Sequence, residues 1–97
     1  MFNANITTGR QTTNAPLGPI TILRLPAVKA GSGYSRSTVY LRIAQGLWTK
    51  QISLGPRCVG WPDYECAALN AARISGKTDA EIRDLVVKLE AARKGAV

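Results

Sequence analysis

Ser35-Arg36-Ser37-Thr38-Val39-Tyr40-Leu41-Arg42-Ile43-Ala44-Gln45-Gly46 reads as one short helix with a stop at each end. Ser35 is an N-cap residue whose hydroxyl accepts a bond from a first-turn N–H, and Gly46 takes the left-handed conformation that ends a helix. Between them stand hydroxyls, a phenol and two arginines, and no acid. At about 100° per residue, Val39 and Ile43 fall on one side, while Thr38, Leu41, Arg42 and Gln45 fall opposite. The first side is suited to packing and the second to reaching a partner.

The flanking segments extend this helix into a fold. Upstream, Leu25-Pro26-Ala27-Val28-Lys29-Ala30 predicts a short first helix, with proline in the first turn where a missing N–H costs nothing. Gly31-Ser32-Gly33-Tyr34 is the turn to the Ser35 cap, so the two helices have helix-turn-helix form. Downstream, Leu47 and Trp48 are expected core anchors. A strand from Thr49 to Leu54, turn chemistry at Gly55-Pro56-Arg57 and a second short strand, Cys58-Val59-Gly60-Trp61, predict a β-hairpin, or wing. Pro62 starts a third helix with Asp63 and Glu65 in its first turn, where negative charge suits the helix dipole; it stops at Ser75-Gly76. Thr78-Asp79-Ala80-Glu81 is a capping box for a last helix, 79–94.

In that last helix Ile82, Leu85, Val86 and Leu89 form an i, i+3, i+4, i+7 stripe, while Asp84 with Lys88 and Glu90 with Lys94 are spaced to pair outside. The stripe is expected to pack on its own domain, and a homodimer through helix 79–94 is the second use it allows. The expected fold is mainly α with a small β-hairpin, a winged helix-turn-helix followed by two C-terminal helices, over residues 20–97. Residues 1–19, with Asn3, Asn5, Asn14, Pro16 and Pro19 and no apolar periodicity, are expected to form a flexible tail.

Charge is distributed unevenly along the 97 residues. The formal net charge is +7, and residues 1–61 carry all of it: seven bases from Arg10 to Arg57 and no acid. Residues 62–97 balance six bases against six acids. A one-signed region around the capped helix favours a polyanion, by steering encounter and by releasing condensed counterions. Several other classes are disfavoured. No histidine is present, which removes the commonest general base and metal ligand, and Cys58 and Cys66 alone do not complete a zinc site. Both cysteines are read as small packing residues in a reducing compartment.

No apolar run approaches the roughly 18 residues of a membrane span, and no secretory signal is seen, so a cytoplasmic location is expected. Gly76-Lys77-Thr78 resembles the end of a phosphate-binding loop, but Ala71 stands where its first glycine belongs and a helix precedes it. Gly31-Ser32-Gly33 lacks the third glycine of a dinucleotide fingerprint and is read as a turn. No activated nucleophile is recognisable, so neither an enzyme nor a cofactor is inferred.

Leu23-Arg24-Leu25 with Val28, Gly33-Tyr34-Ser35-Arg36-Ser37-Thr38-Val39-Tyr40, Ile43 and Gly46 form a pattern together with Leu54-Gly55-Pro56-Arg57, Val59-Gly60-Trp61 and Ala71-Ala72-Arg73-Ile74. On these residues the stretch from Ile22 to Arg93 resembles the AlpA family of phage and prophage regulators, relatives of the excisionases with a winged helix-turn-helix like that of MerR regulators. The resemblance implies a bacterial or phage DNA-binding protein, either a transcriptional regulator or an architectural factor directing excision by a recombinase. It also implies that the first turn of the second helix meets DNA. The order Leu41-Arg42 departs from the common family pattern, in which a basic residue directly follows the tyrosine.

The expected partner is double-stranded DNA. Helix 36–45 is expected in the major groove with Arg36, Ser37, Thr38 and Arg42 near bases, and Leu41 is placed for a thymine methyl or a neighbouring subunit. Ser35, Tyr40, Lys50 and Arg57 are expected to hold phosphates, the last two from the 49–61 wing. A recombinase or RNA polymerase is the protein partner such a regulator implies. The alternative from another class is an antitoxin-like or adaptor protein that binds a protein through its apolar last helix.

Overall fold

The structure, a computed structural model, describes residues 19–95; the expected tail lies outside the described residues except for Pro19. In chain order the elements are β1 (Ile22–Leu23), α1 (Leu25–Ser32), α2 (Arg36–Ala44), β2 (Ile52–Gly55), β3 (Cys58–Pro62), α3 (Asp63–Ile74) and α4 (Asp79–Ala92), with a 3-10 turn at Arg93–Gly95. α1 runs past the expected Ala30 because Gly33, not Gly31, stops it, donating its N–H to the Lys29 carbonyl at 2.9 Å. α2 starts as its cap dictates, with the Ser35 hydroxyl accepting the Thr38 N–H at 3.3 Å. It closes in a Schellman turn. Gly46, at φ 77°, donates to the Ile43 carbonyl at 3.1 Å and Leu47 to that of Arg42 at 2.8 Å.

The sheet differs most from the sequence reading. The hairpin strand expected from Thr49 begins only at Ile52, because Thr49 is fully buried and its carbonyl accepts the Trp61 indole N–H at 2.9 Å. An unexpected strand, β1, pairs antiparallel with β3 in the register Ile22↔Pro62 and Leu23↔Trp61, which makes a three-stranded sheet of order β1–β3–β2. Gly60 permits this crossing. A Cβ there would stand 2.5 Å from Ile22 Cγ2 and 3.1 Å from the Leu23 carbonyl oxygen. The Arg24 Nε–H donates to the Val59 carbonyl at 2.9 Å and the Asp63 N–H to that of Thr21 at 2.8 Å, fastening both ends of the crossing.

Helices and sheet share one core. Trp48 and Trp61 are its largest buried side chains, with Val28, Val39 and Leu69 beside them and Leu47, Cys66 and Ala72 completing it. On α4, Ile82 and Val86 are buried and Leu85 and Leu89 pack against them, so the apolar stripe covers its own domain. Burying one such aliphatic side chain contributes about 1.5–3 kcal/mol.

Electrostatic stitching differs from the expected outside pairs. Asp84–Lys88 and Glu90–Lys94 do not pair among the described residues; the ion pair there is Glu65–Arg93. Glu65 stands in the first turn of α3, as its place by the helix dipole predicts, but it is 0% exposed. Arg93 Nε and Nη2 reach its two oxygens at 2.8 and 2.7 Å, and Nη2 also donates to the Lys50 carbonyl at 2.7 Å. The bond to Glu65 raises the Arg93 pKa above its ordinary value. Glu90 turns inward as well, its Oε2 accepting the Lys50 N–H at 2.8 Å. α4 therefore ends at Ala92, two residues short of expectation, and the chain bends so that Arg93 reaches the core.

Candidate nucleic-acid interface

α2 lies between two aromatic stacks, each ending in arginine. On the wing side the Tyr40 ring meets Trp61 edge-on at 6.4 Å between centroids, and the Arg36 guanidinium sits 5.5 Å from the Tyr40 ring centre. On the other side Tyr34 meets Trp48 at 6.0 Å and carries two guanidiniums, Arg73 at 4.5 Å and Arg42 at 5.6 Å. Each stack runs from a buried indole through a half-buried phenol to a surface cation. Cation–π contact fixes the arginines without neutralising them.

The first turn of α2 brings several expected residues together. Ser35 lies 2.9 Å from Thr38 Oγ1 and 3.3 Å from Ser37 Oγ, so three hydroxyls cluster at the cap, with Arg36 exposed beside them. The outward arc continues through Ser37, Leu41 and Ala44, all exposed. Leu41, at 55% exposure, is its one large side chain. The helical wheel set Arg42 beside Leu41 on the outer face; the structure turns it to the flank, half-buried against Tyr34. Tyr34 supplies the cause, because it stands just before the cap, where its ring covers that flank.

The wing supplies Arg57, exposed at the hairpin tip with φ 56°. A non-glycine residue in the left-handed region costs about 1–2 kcal/mol, so this position holds an arginine where glycine would relieve the backbone. Lys50 is exposed but stands apart from the tip, its backbone bonded to Glu90 and Arg93. Arg73 and Lys77, to which the sequence reading gave no binding role, flank the site from α3 and the α3–α4 turn. The signal that points to them is Tyr34, the aromatic residue ahead of the cap.

Neither cysteine is bonded to the other. Burial, with Glu65 and Asp63 adding to it, pushes the Cys66 thiol up to about 11, so at neutral pH it is a protonated packing group. No helix among the described residues is long and apolar enough to cross a membrane.

A helical pair with a capped second helix, closed by a β-hairpin on one flank, defines a winged helix-turn-helix protein. The family described as the prophage CP4-57 regulatory protein (AlpA) matches residues 21–68, which hold β1 through the first half of α3. ORF88, an uncharacterised protein of Enterobacteria phage P4, is 43% identical over 65 residues, 64% of this chain and 74% of that protein. The chain belongs to the AlpA family of prophage regulatory proteins. No solved structure matches it significantly.

Proposed function

We propose that this protein is a sequence-specific binder of double-stranded DNA that regulates phage or prophage genes, with residues 20–97 as the binding unit. One observation carries the reading: the first turn of α2 is exposed and acid-free, and its Arg36 is held over Tyr40, which leans on Trp61 of the wing. A helix so presented fits the major groove, about 12 Å wide, with the wing following the adjacent backbone. Arg36, Ser37 and Thr38 face base edges; Ser35, Tyr40, Lys50 and Arg57 serve phosphates. Leu41, on the outward arc, takes the base-facing place that the wheel gave Arg42, as an apolar contact to a thymine methyl.

No catalytic role is part of this reading. The adaptor alternative loses its main support, because the α4 stripe it needs is used in the protein's own core. A gel-shift series on random duplex DNA tests the proposal. Affinity should fall steeply with salt, and selection from the random pool should return one motif. No binding at low salt would sink the proposal. The genomic position of the motif, at promoters or at attachment sites, separates a transcriptional regulator from an excision factor working with a recombinase.

A further inference from the structure

Beyond the Trp48–Tyr34 stack the surface forms a shallow pocket of about 240 Å³ between the flank of α2, the end of α3 and the start of α4. Three cations, Arg42, Arg73 and Lys77, line it against one carboxylate, Asp79. None of them is ion-paired among the described residues. The Arg42 Nε is shut off from solvent with no hydrogen-bond partner among the described residues. Trp48 Nε1 and Thr49 Oγ1 share that condition, but only Arg42 of the three lines this pocket. Three cations against one carboxylate, with one guanidinium nitrogen unsatisfied within the described residues, suit the pocket to an anionic acceptor from outside.

The position of the pocket identifies that acceptor. On the α2 wheel Arg42 lies about 200° from Tyr40, with the outward arc of Ser37, Leu41 and Ala44 between them. A helix in the major groove is bracketed by two phosphate strands, one on each side. Tyr40 and the Arg57 tip serve the wing side, and the Arg42–Arg73–Lys77 pocket is what the molecule offers to the other. We propose that this pocket binds a backbone phosphate of the strand opposite the one the wing follows, which moves Arg42 from base reading to backbone positioning. The proposal rests on the DNA-binding reading above and adds a second clamp to it. The Gly76-Lys77-Thr78 stretch thereby serves phosphate without any nucleotide fold: the Lys77 N–H closes the end of α3 on the Ala72 carbonyl at 3.0 Å, leaving the ammonium free to reach the pocket.

Lys77→Gln is the primary test, since Lys77 is exposed and its backbone bond survives the change. Binding of the full chain to selected and random duplexes is measured over a salt series. The expected result is a uniform weakening on both and a drop of about one in the slope of log affinity against log salt, restored by Lys77→Arg. Arg42→Ala should likewise weaken all sequences equally. A methylphosphonate scan of the selected duplex then locates the contacts: the phosphate silenced by Lys77→Gln should lie on the strand opposite the one silenced by Arg57→Gly. Wild-type binding with an unchanged slope in Lys77→Gln overturns the proposal and leaves the DNA reading intact. So does a silenced phosphate on the wing's own strand, or Lys77-dependent capture of an acidic peptide without any effect on DNA. Absence of wild-type binding to duplex at low salt overturns both.

Discussion

Two regions of this molecule gather arginine around a half-enclosed site, and they reach opposite ends. At the junction between the start of α3 and the end of α4, Arg93 meets both oxygens of a fully buried Glu65 and the Lys50 carbonyl as well. At the flank of α2, Arg42 and Arg73 stand over the face of Tyr34 with no ion pair among the described residues, and Lys77 lies across the pocket. One guanidinium is satisfied within the chain; the other cluster is left one acceptor short. Charge completed inside holds the fold, and charge left open is available to a partner. Variants at the junction should therefore change stability and leave the affinity of folded molecules alone, and variants around α2 should do the reverse.

The largest effect belongs to the junction. Arg93→Ala leaves a buried carboxylate unpaired and should cost about 3–5 kcal/mol, which lowers the thermal midpoint by about 12 °C or more. Calorimetry measures this, and Glu65→Leu combined with Arg93→Met should recover most of it; a double variant as unstable as the single one would show that the pair does more than cancel its own burial. Next, Arg36→Ala should remove about 1–3 kcal/mol of discrimination between selected and random DNA with the melting temperature nearly unchanged. A comparable loss on both DNAs would move Arg36 to the backbone class.

Arg57→Gly makes the sharpest division between the two kinds of charge. Releasing the left-handed φ should raise stability by about 1 kcal/mol while DNA affinity falls, so the two measurements move in opposite directions. Leu41→Ala should cost about 1 kcal/mol on a thymine-containing motif and nothing once that thymine is replaced by deoxyuracil, a cycle read by fluorescence anisotropy. The smallest effect is a pH dependence at the α4 cap. Hydrogen bonds from the Thr78 backbone and side chain hold the Glu81 carboxyl below its usual pKa. Its contribution is therefore present above about pH 5 and is lost as pH falls through the depressed value. Glu81→Gln should flatten thermal stability across that range.

Much of this was legible in the sequence because the signals were local. Ser35, Gly46 and the Thr78–Glu81 box are signals that act within one helical turn, and all three work as their chemistry predicts, while Pro62 stands one place earlier than expected, as the extended N-cap of α3. What escaped was set by residues distant in sequence. Arg42 obeys the wheel's angle but is claimed by Tyr34, eight positions earlier, and the fate of Glu65 is decided by Arg93, 28 positions on. β1 is two residues long, too short for any alternation to register, and exists only through its pairing with β3. Residue type and resemblance point to most of the interface residues; the second stack, with Arg73 and Lys77, is visible only in three dimensions.

The β1–β3 pairing also has a topological meaning. Chain between Leu23 and Trp61 leaves and returns to the same point, so the helix pair and the hairpin form a closed loop fastened where Gly60 passes under Ile22. Such a loop tolerates lengthening: entropy charges only about 0.6 kcal/mol for each doubling, so extra residues at the Pro56–Arg57 tip should be accepted. The fastening has no comparable tolerance. A single methyl group added at Gly60 would stand 2.5 Å from Ile22 Cγ2 and 3.1 Å from the Leu23 carbonyl oxygen, so the Ile22 side chain would have to move aside and the clasp of the whole loop would have to shift to make room for it.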